Sequence, residues 1–114
     1  MPFLSVQTNQ EVDPQTRQKL LTVATQQVSS VLGKSEEYFM ASLQTVAAMR
    51  FGGSAEPTAM FDLKALEFPS EKAQEITNLL CKLSADILNV EKARTYVTFT
   101  SVERGMWGWN DKVF

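Results

Sequence analysis

Phe3-Leu4-Ser5-Val6-Gln7-Thr8, followed by Asp13-Pro14, is the stretch that decides the fold, because the same order of signals returns later in the chain. Leu4 and Val6 alternate with polar positions, as on a half-buried strand. Asp13 is a helix-capping residue and Pro14 suits the first helical position. Beyond them Leu20, Ala24, Val28, Val31 and Leu32 recur at helical spacing, and Gly33 stops the run because glycine enters positive φ freely. A second strand is expected from Tyr38 to Val46 on the strength of Tyr38, Phe39, Leu43, Thr45 and Val46.

The second half repeats this order. Thr58 to Leu66 places Ala59, Phe61, Leu63 and Ala65 on one side of a strand. Pro69-Ser70-Glu71 opens the next helix, whose apolar stripe is Ile76, Leu79, Leu80, Leu83 and Ile87, with Asn89 as a left-handed stop. Thr95 to Val102 is dense in β-branched and aromatic residues, as a strand should be. Leu32-Gly33 and Tyr38 thus match Leu88-Asn89 and Tyr96 at nearly constant offset. The expected fold is α/β (α+β): a duplicated β-α-β unit forming a four-stranded mixed sheet with two helices on one face. Residues 1–114 are read as one domain, a length that allows a real core without staples.

Arg50-Phe51-Gly52-Gly53-Ser54-Ala55-Glu56-Pro57 separates the halves. Its glycines and proline mark a turn; no helix start follows them, so they do not form a phosphate loop. The tail from Gly105 to Phe114 is rich in aromatic area and is expected to pack against something. The uncovered face of the sheet is expected to be hidden by self-association.

Composition narrows the chemistry. The 114 residues include no histidine and one cysteine, which excludes Ser-His-Asp and Cys-His nucleophile sets, disulfides within the chain and cysteine-rich zinc sites. Cys81 falls in an apolar helical register and reads as a small core thiol. The formal net charge of -2 gives no electrostatic case for nucleic acid or an anionic membrane. No apolar run is long enough to span a bilayer, and the start lacks the pattern of a signal peptide.

The chain resembles the macrophage migration inhibitory factor and D-dopachrome tautomerase branch of the tautomerase superfamily. The resemblance rests on Met1-Pro2 running into a strand, Thr8-Asn9, Leu32-Gly33-Lys34, Phe51 to Pro57, Leu79-Leu80-Cys81, Arg94-Thr95-Tyr96-Val97 and Gly108-Trp109-Asn110, in that order over nearly the whole length. It implies a homotrimer, which would cover the bare sheet face. It also implies a keto-enol tautomerase of phenylpyruvate-type aromatic α-keto acids, with dopachrome-like compounds as related substrates and no metal or organic cofactor. Pro2, exposed when Met1 is removed, would be the acid-base catalyst. Desolvation and a nearby cation such as Lys34 both lower an amine's pKa, and a free α-amine starts near ~7.7–8.0. Without the resemblance, Pro2 reads first as a strand-start residue and Lys34 as a solvated charge at a helix end.

By the same resemblance Lys34 would pair with the substrate carboxylate, and the backbone N–H of Leu66 would contact substrate. Tyr96 would form an aromatic wall from a neighbouring subunit, with Thr98 beside it and Phe114 and Trp109 at the rim. Residue by residue, Tyr96 also reads as core, and the two tail aromatics as tail packing. Three departures stand out. Ala65-Leu66-Glu67 replaces a Ser-Ile-Gly step, and an inward Glu67 would oppose a carboxylate whereas an outward one would not. Thr98 replaces an asparagine and lacks the amide's second donor. Thr58-Ala59-Met60-Phe61 replaces a Cys-x-x-Cys, so thiol-disulfide activity does not carry over. A second implied role is a signalling protein that binds a receptor through the trimer surface. Cytoplasm is the default compartment, with release from the cell left open.

Overall fold

The computed structural model describes residues 1–114. Strand β1 (Pro2–Thr8) leads through helix α1 (Pro14–Leu32) to β2 (Met40–Thr45); β3 (Ala59–Leu66) leads through α2 (Ala73–Leu88) to β4 (Thr95–Val102). A short hairpin, β5 (Gly108–Trp109) and β6 (Lys112–Val113), closes the chain. The main sheet runs β2-β1-β3-β4. Each half contributes a parallel pair, and the halves meet antiparallel where β1 lies beside β3. The duplicated β-α-β reading holds.

Alternation in β1 and β3 sets the two faces. Leu4, Val6, Phe61 and Leu63 are fully buried towards Leu20, Ala24 and Val28 of α1 and Ile76, Leu80 and Leu83 of α2. Burying each large aliphatic or aromatic side chain contributes about 1.5–3 kcal/mol, which makes this cluster the main source of stability. The other face carries Ser5, Gln7, Asp62, Lys64, Thr98 and Thr100 with no helix over it.

Local signals fix the helix ends. The Asp13 carboxylate accepts the Thr16 N–H at 2.7 Å, with Pro14 in the first turn. Gly33 takes φ 67°, and the N–H groups of Gly33 and Lys34 reach back to the Ser30 and Ser29 carbonyls. Asn89 does the same work for α2 at φ 58°.

Three expectations need correction. The second strand starts at Met40, because Ser35 caps a 3-10 turn over Glu36–Tyr38 and its hydroxyl accepts the Glu37 N–H. Pro69-Ser70-Glu71 opens a 3-10 turn, Ser70–Lys72, and the α-helix begins only at Ala73. Cys81 is half-buried on the flank of α2, since the core stripe passes through Leu80, Leu83 and Ser84. Partial burial raises its pKa and outweighs the opposing pull of Lys92, which disfavours the thiolate.

Candidate active site

Because β1 starts where β3 and β4 end, the chain's first residues lie beside the last residues of the central strands. Pro2 pairs with Ala65 and Phe3 with Lys64. A cleft of about 550 Å³ opens at this end of the sheet. Its walls are mostly apolar: Phe3, Tyr38, Phe39, Met40, Val102 and Trp109, with Met106 and Trp107 from the tail. Only Glu37 and Lys64 bring charged side chains to it, and Pro2 lies on its floor.

The tail reaches the cleft through its hairpin. Asn110 and Asp111 take φ 50° and 62°, the left-handed pair that a two-residue turn between twisted strands requires. The hairpin sets the Trp109 ring edge-on to Tyr38, with centroids 5.2 Å apart. The tail therefore packs as its composition suggested.

The Met1 amine is held below its usual 8.0, first by partial burial and then by the charge of Lys34. Pro2 itself is fully buried. The Leu66 N–H donates to the Met1 carbonyl at 3.3 Å. While Met1 is attached, the Pro2 nitrogen is a tertiary amide without basicity. Once Met1 is gone, the same nitrogen is a secondary amine, and the Leu66 donor beside it is free.

At the opposite end of the sheet, Arg94 organises the turn between the halves. Its guanidinium donates to the carbonyls of Pro57, Phe51, Ser54 and Glu56 at 2.9–3.1 Å and stacks over the Phe51 ring. Asn9 donates to Ala55 and Glu56 and accepts from the Thr58 N–H, while the buried Thr8 hydroxyl donates to the Thr58 carbonyl. Gly52 and Gly53, at φ 59° and 76°, make the turn itself. These motif residues are architectural.

Comparison with known proteins decides the family. The family model for macrophage migration inhibitory factor (MIF) matches residues 1–114. The chain belongs to the MIF family. A MIF homolog from Brugia malayi is 32% identical over 100% of this chain and 99% of its own length. MIF from Meriones unguiculatus is 29% identical over 100% and 99%. Among solved structures, MIF from Toxoplasma gondii superposes with a TM-score of 0.91 at 29% identity, covering 98% of this chain and 99% of the other. The MIF homologue from Prochlorococcus marinus gives 0.90 at 30%, covering 98% of each. Membership of the MIF family and this fold support a MIF-like role, as a tautomerase-type isomerase or a cytokine-like protein.

Within one MIF-family chain the cleft gathers only part of the expected site. Pro2 lies in it, and the Leu66 N–H points to the residue ahead of Pro2. Lys34 follows α1, is exposed and acts on the terminus through its charge without lining the cleft. Tyr96 lies at the far end of β4, 61% exposed on the helix-free face and edge-on to Phe51. Since Ser101 is the residue beside Ala65, Tyr96 is about 17 Å along the strand from Pro2. Thr98 is nearer, on the same face, donating to the Asp62 carboxylate at 2.8 Å. Phe114 sits behind Trp109, centroids 6.1 Å apart, and bonds its N–H to the Trp107 carbonyl. Tyr96, Thr98 and Phe114 therefore stay outside this chain's own cleft.

Glu67 turns outward. At φ 50° it occupies the left-handed conformation that a glycine would take freely, and its carboxylate meets Arg104 Nε at 3.2 Å. It does not oppose an anion in the cleft. Sequence reasoning missed Lys64, Glu37 and Tyr38. The signal for Lys64 was its parity: it alternates with Leu63 and Ala65, so it points to the face that Phe3 shares. No group of His, Cys, Asp or Glu side chains is arranged to hold a metal ion, and no helix is long and apolar enough to cross a membrane.

Proposed function

We propose that this MIF-family chain is a keto-enol tautomerase of small aromatic α-keto acids of the phenylpyruvate type, with Pro2 as the acid-base group after Met1 removal. The observation that carries this reading is the position of the first peptide. Met1 and Pro2 line an apolar cleft, and the Met1 carbonyl takes the Leu66 N–H, a donor that removal of Met1 would free.

The neutral Pro2 nitrogen would take a proton from the carbon next to the carbonyl. The C–H electron pair becomes the C=C bond, and the carbonyl π pair moves to oxygen, where the Leu66 N–H and the charge of Lys34 offset it. The oxygen then takes a proton to give the enol while the Pro2 ammonium returns one to solvent. Ketonisation runs the same steps in reverse, with the ammonium giving its proton to carbon and the enol O–H losing one, so atoms and charge balance. Such proton transfer accounts for ~10²–10⁴ in rate and works best when the pKa lies near the working pH. Aromatic walls at Phe3, Tyr38 and Trp109 suit the ring of such a substrate. A homotrimer belongs to the same proposal: copies meeting through the helix-free face would bring a neighbour's Tyr96 and Thr98 towards Pro2.

The test begins with intact mass, to establish that Met1 is absent. Phenylpyruvate ketonisation is then compared between the processed chain and Pro2→Gly. A loss of at least a hundredfold is expected; retention of most of the rate would remove Pro2 from the mechanism. Sedimentation at micromolar concentration should give three chains per particle. 2-Oxo-3-pentynoate, the inactivator named for a solved structure that shares this fold at 13% identity and a TM-score of 0.85, should add mass to the amino-terminal peptide. Dopachrome isomerisation is a second substrate to assay.

The names of the relatives favour a second reading, a cytokine-like protein that binds a receptor through its surface. Absence of turnover from a fully processed trimer would select it.

A further inference from the structure

We infer that Lys64 is a specificity-determining residue that adds a cation on the cleft wall to the charge of Lys34 at the terminus, so that the preferred ligand is a small aromatic acid carrying two anionic groups. This rests on the same cleft being the binding site and deepens that reading by naming the substrate class.

The sheet geometry carries it. Pro2 and Ala65 share the helix-facing side, where Lys34 follows the end of α1. Lys64 and Phe3 share the opposite side and line the same cleft. The terminus thus lies between two cations approached from opposite sides of the sheet edge. One carboxylate suffices for a monoanionic α-keto acid, and the second cation is then without a partner.

Nothing else in the chain claims Lys64. The ion pairs are Lys72–Glu75, Lys82–Asp86 and Arg104–Glu67. Glu37 lines the cleft without pairing with Lys64, and Asp62, two residues away on the same face, accepts the Thr98 hydroxyl. Lys64 pairs in register with Phe3 and shares the cleft with Met40 and Trp109, so its charge meets an incoming anion next to apolar walls. Because Lys64 is exposed, the gain is modest, about fivefold in affinity.

The chain has two tryptophans, Trp107 and Trp109, and both line the cleft, so their fluorescence reports occupancy without turnover. The processed chain is titrated with phenylacetate and with 4-(carboxymethyl)benzoate, which differ by one ring carboxylate. The dianion is expected to bind about fivefold more tightly, with the advantage shrinking in added salt. Lys64→Met should erase that preference and Lys64→Arg should keep it. Equal affinities for the two acids, or a preference that survives Lys64→Met, would overturn the assignment. Phenylpyruvate turnover with no dianion preference refutes the role of Lys64 and leaves the tautomerase reading standing. A Lys64-dependent preference without turnover supports the role of Lys64 and refutes the acid-base reading.

Discussion

Replacing Arg94 by alanine should destabilise the fold by about 3 kcal/mol. The guanidinium donates to four backbone carbonyls, those of Pro57, Phe51, Ser54 and Glu56. The Glu56 carbonyl is exposed and rehydrates in the variant, whereas the other three bonds are partly buried. Each of those, made by a charged donor, contributes about 0.5–1 kcal/mol after partial resolvation, and stacking on Phe51 adds about 0.5 kcal/mol. For a chain of 114 residues, 3 kcal/mol corresponds to a fall of about 12 °C in Tm. Urea denaturation at matched protein concentration measures the loss, since any assembly ties stability to concentration. Hydrogen exchange should speed up in residues 51–57 before elsewhere. Arg94→Lys separates charge from geometry: one ammonium cannot span four carbonyls, so it should recover about a third of the loss. A change below 1 kcal/mol for Arg94→Ala, or full recovery by lysine, would refute the view that the planar fork holds this turn.

Other perturbations probe other parts of the molecule. Glu67→Gly should stabilise by about 0.5–1 kcal/mol, because release from φ 50° outweighs an exposed ion pair with Arg104; the urea midpoint should rise. Ser29→Ala should also stabilise, by about 1 kcal/mol, since the Ser29 hydroxyl is buried without a hydrogen-bond partner and alanine favours the helix. In the chain that retains Met1, Lys34→Gln should raise the pKa of the Met1 amine towards 8.0 by removing the second cause of its depression. In the processed chain the loss of the same nearby cation should act on the Pro2 amine, a base only when neutral, so the acid limb of activity should move to higher pH in the variant. Chemical modification of the amine across a pH series checks the same shift directly.

Much of the fold was legible because single residues carry local signals that tertiary structure does not override. Asp13-Pro14 and Gly33 bound one helix, Asn89 ends the other, and the alternation of Leu4 with Val6 and of Phe61 with Leu63 fixes which face is buried. Tyr38 misled because its strand preference competes with the Ser35 cap, a hydroxyl that binds the local backbone first. The site was legible only in part. Pro2 and Leu66 are adjacent because of strand register, which the resemblance implied and the β1–β3 pairing produces. Lys64 went unread because its importance depends on the end of the sheet at which β3 stops. Arg94 was read only as a motif residue, and its hold on the turn was not, because its partners lie about 40 residues earlier in the chain. Tyr96 and Thr98 point out of a single chain, so no reading of one polypeptide alone assigns them to a wall.

The hydrogen bond between the Met1 carbonyl and the Leu66 N–H bears on how such a protein matures. Any extension ahead of Pro2, a retained methionine or a fused tag alike, would sit as a stopper fastened by the very donor a ligand would need. Hydrolysis of one peptide bond would then unplug the donor and create the base together. A freshly translated chain would be inert, and an aminopeptidase would be its switch.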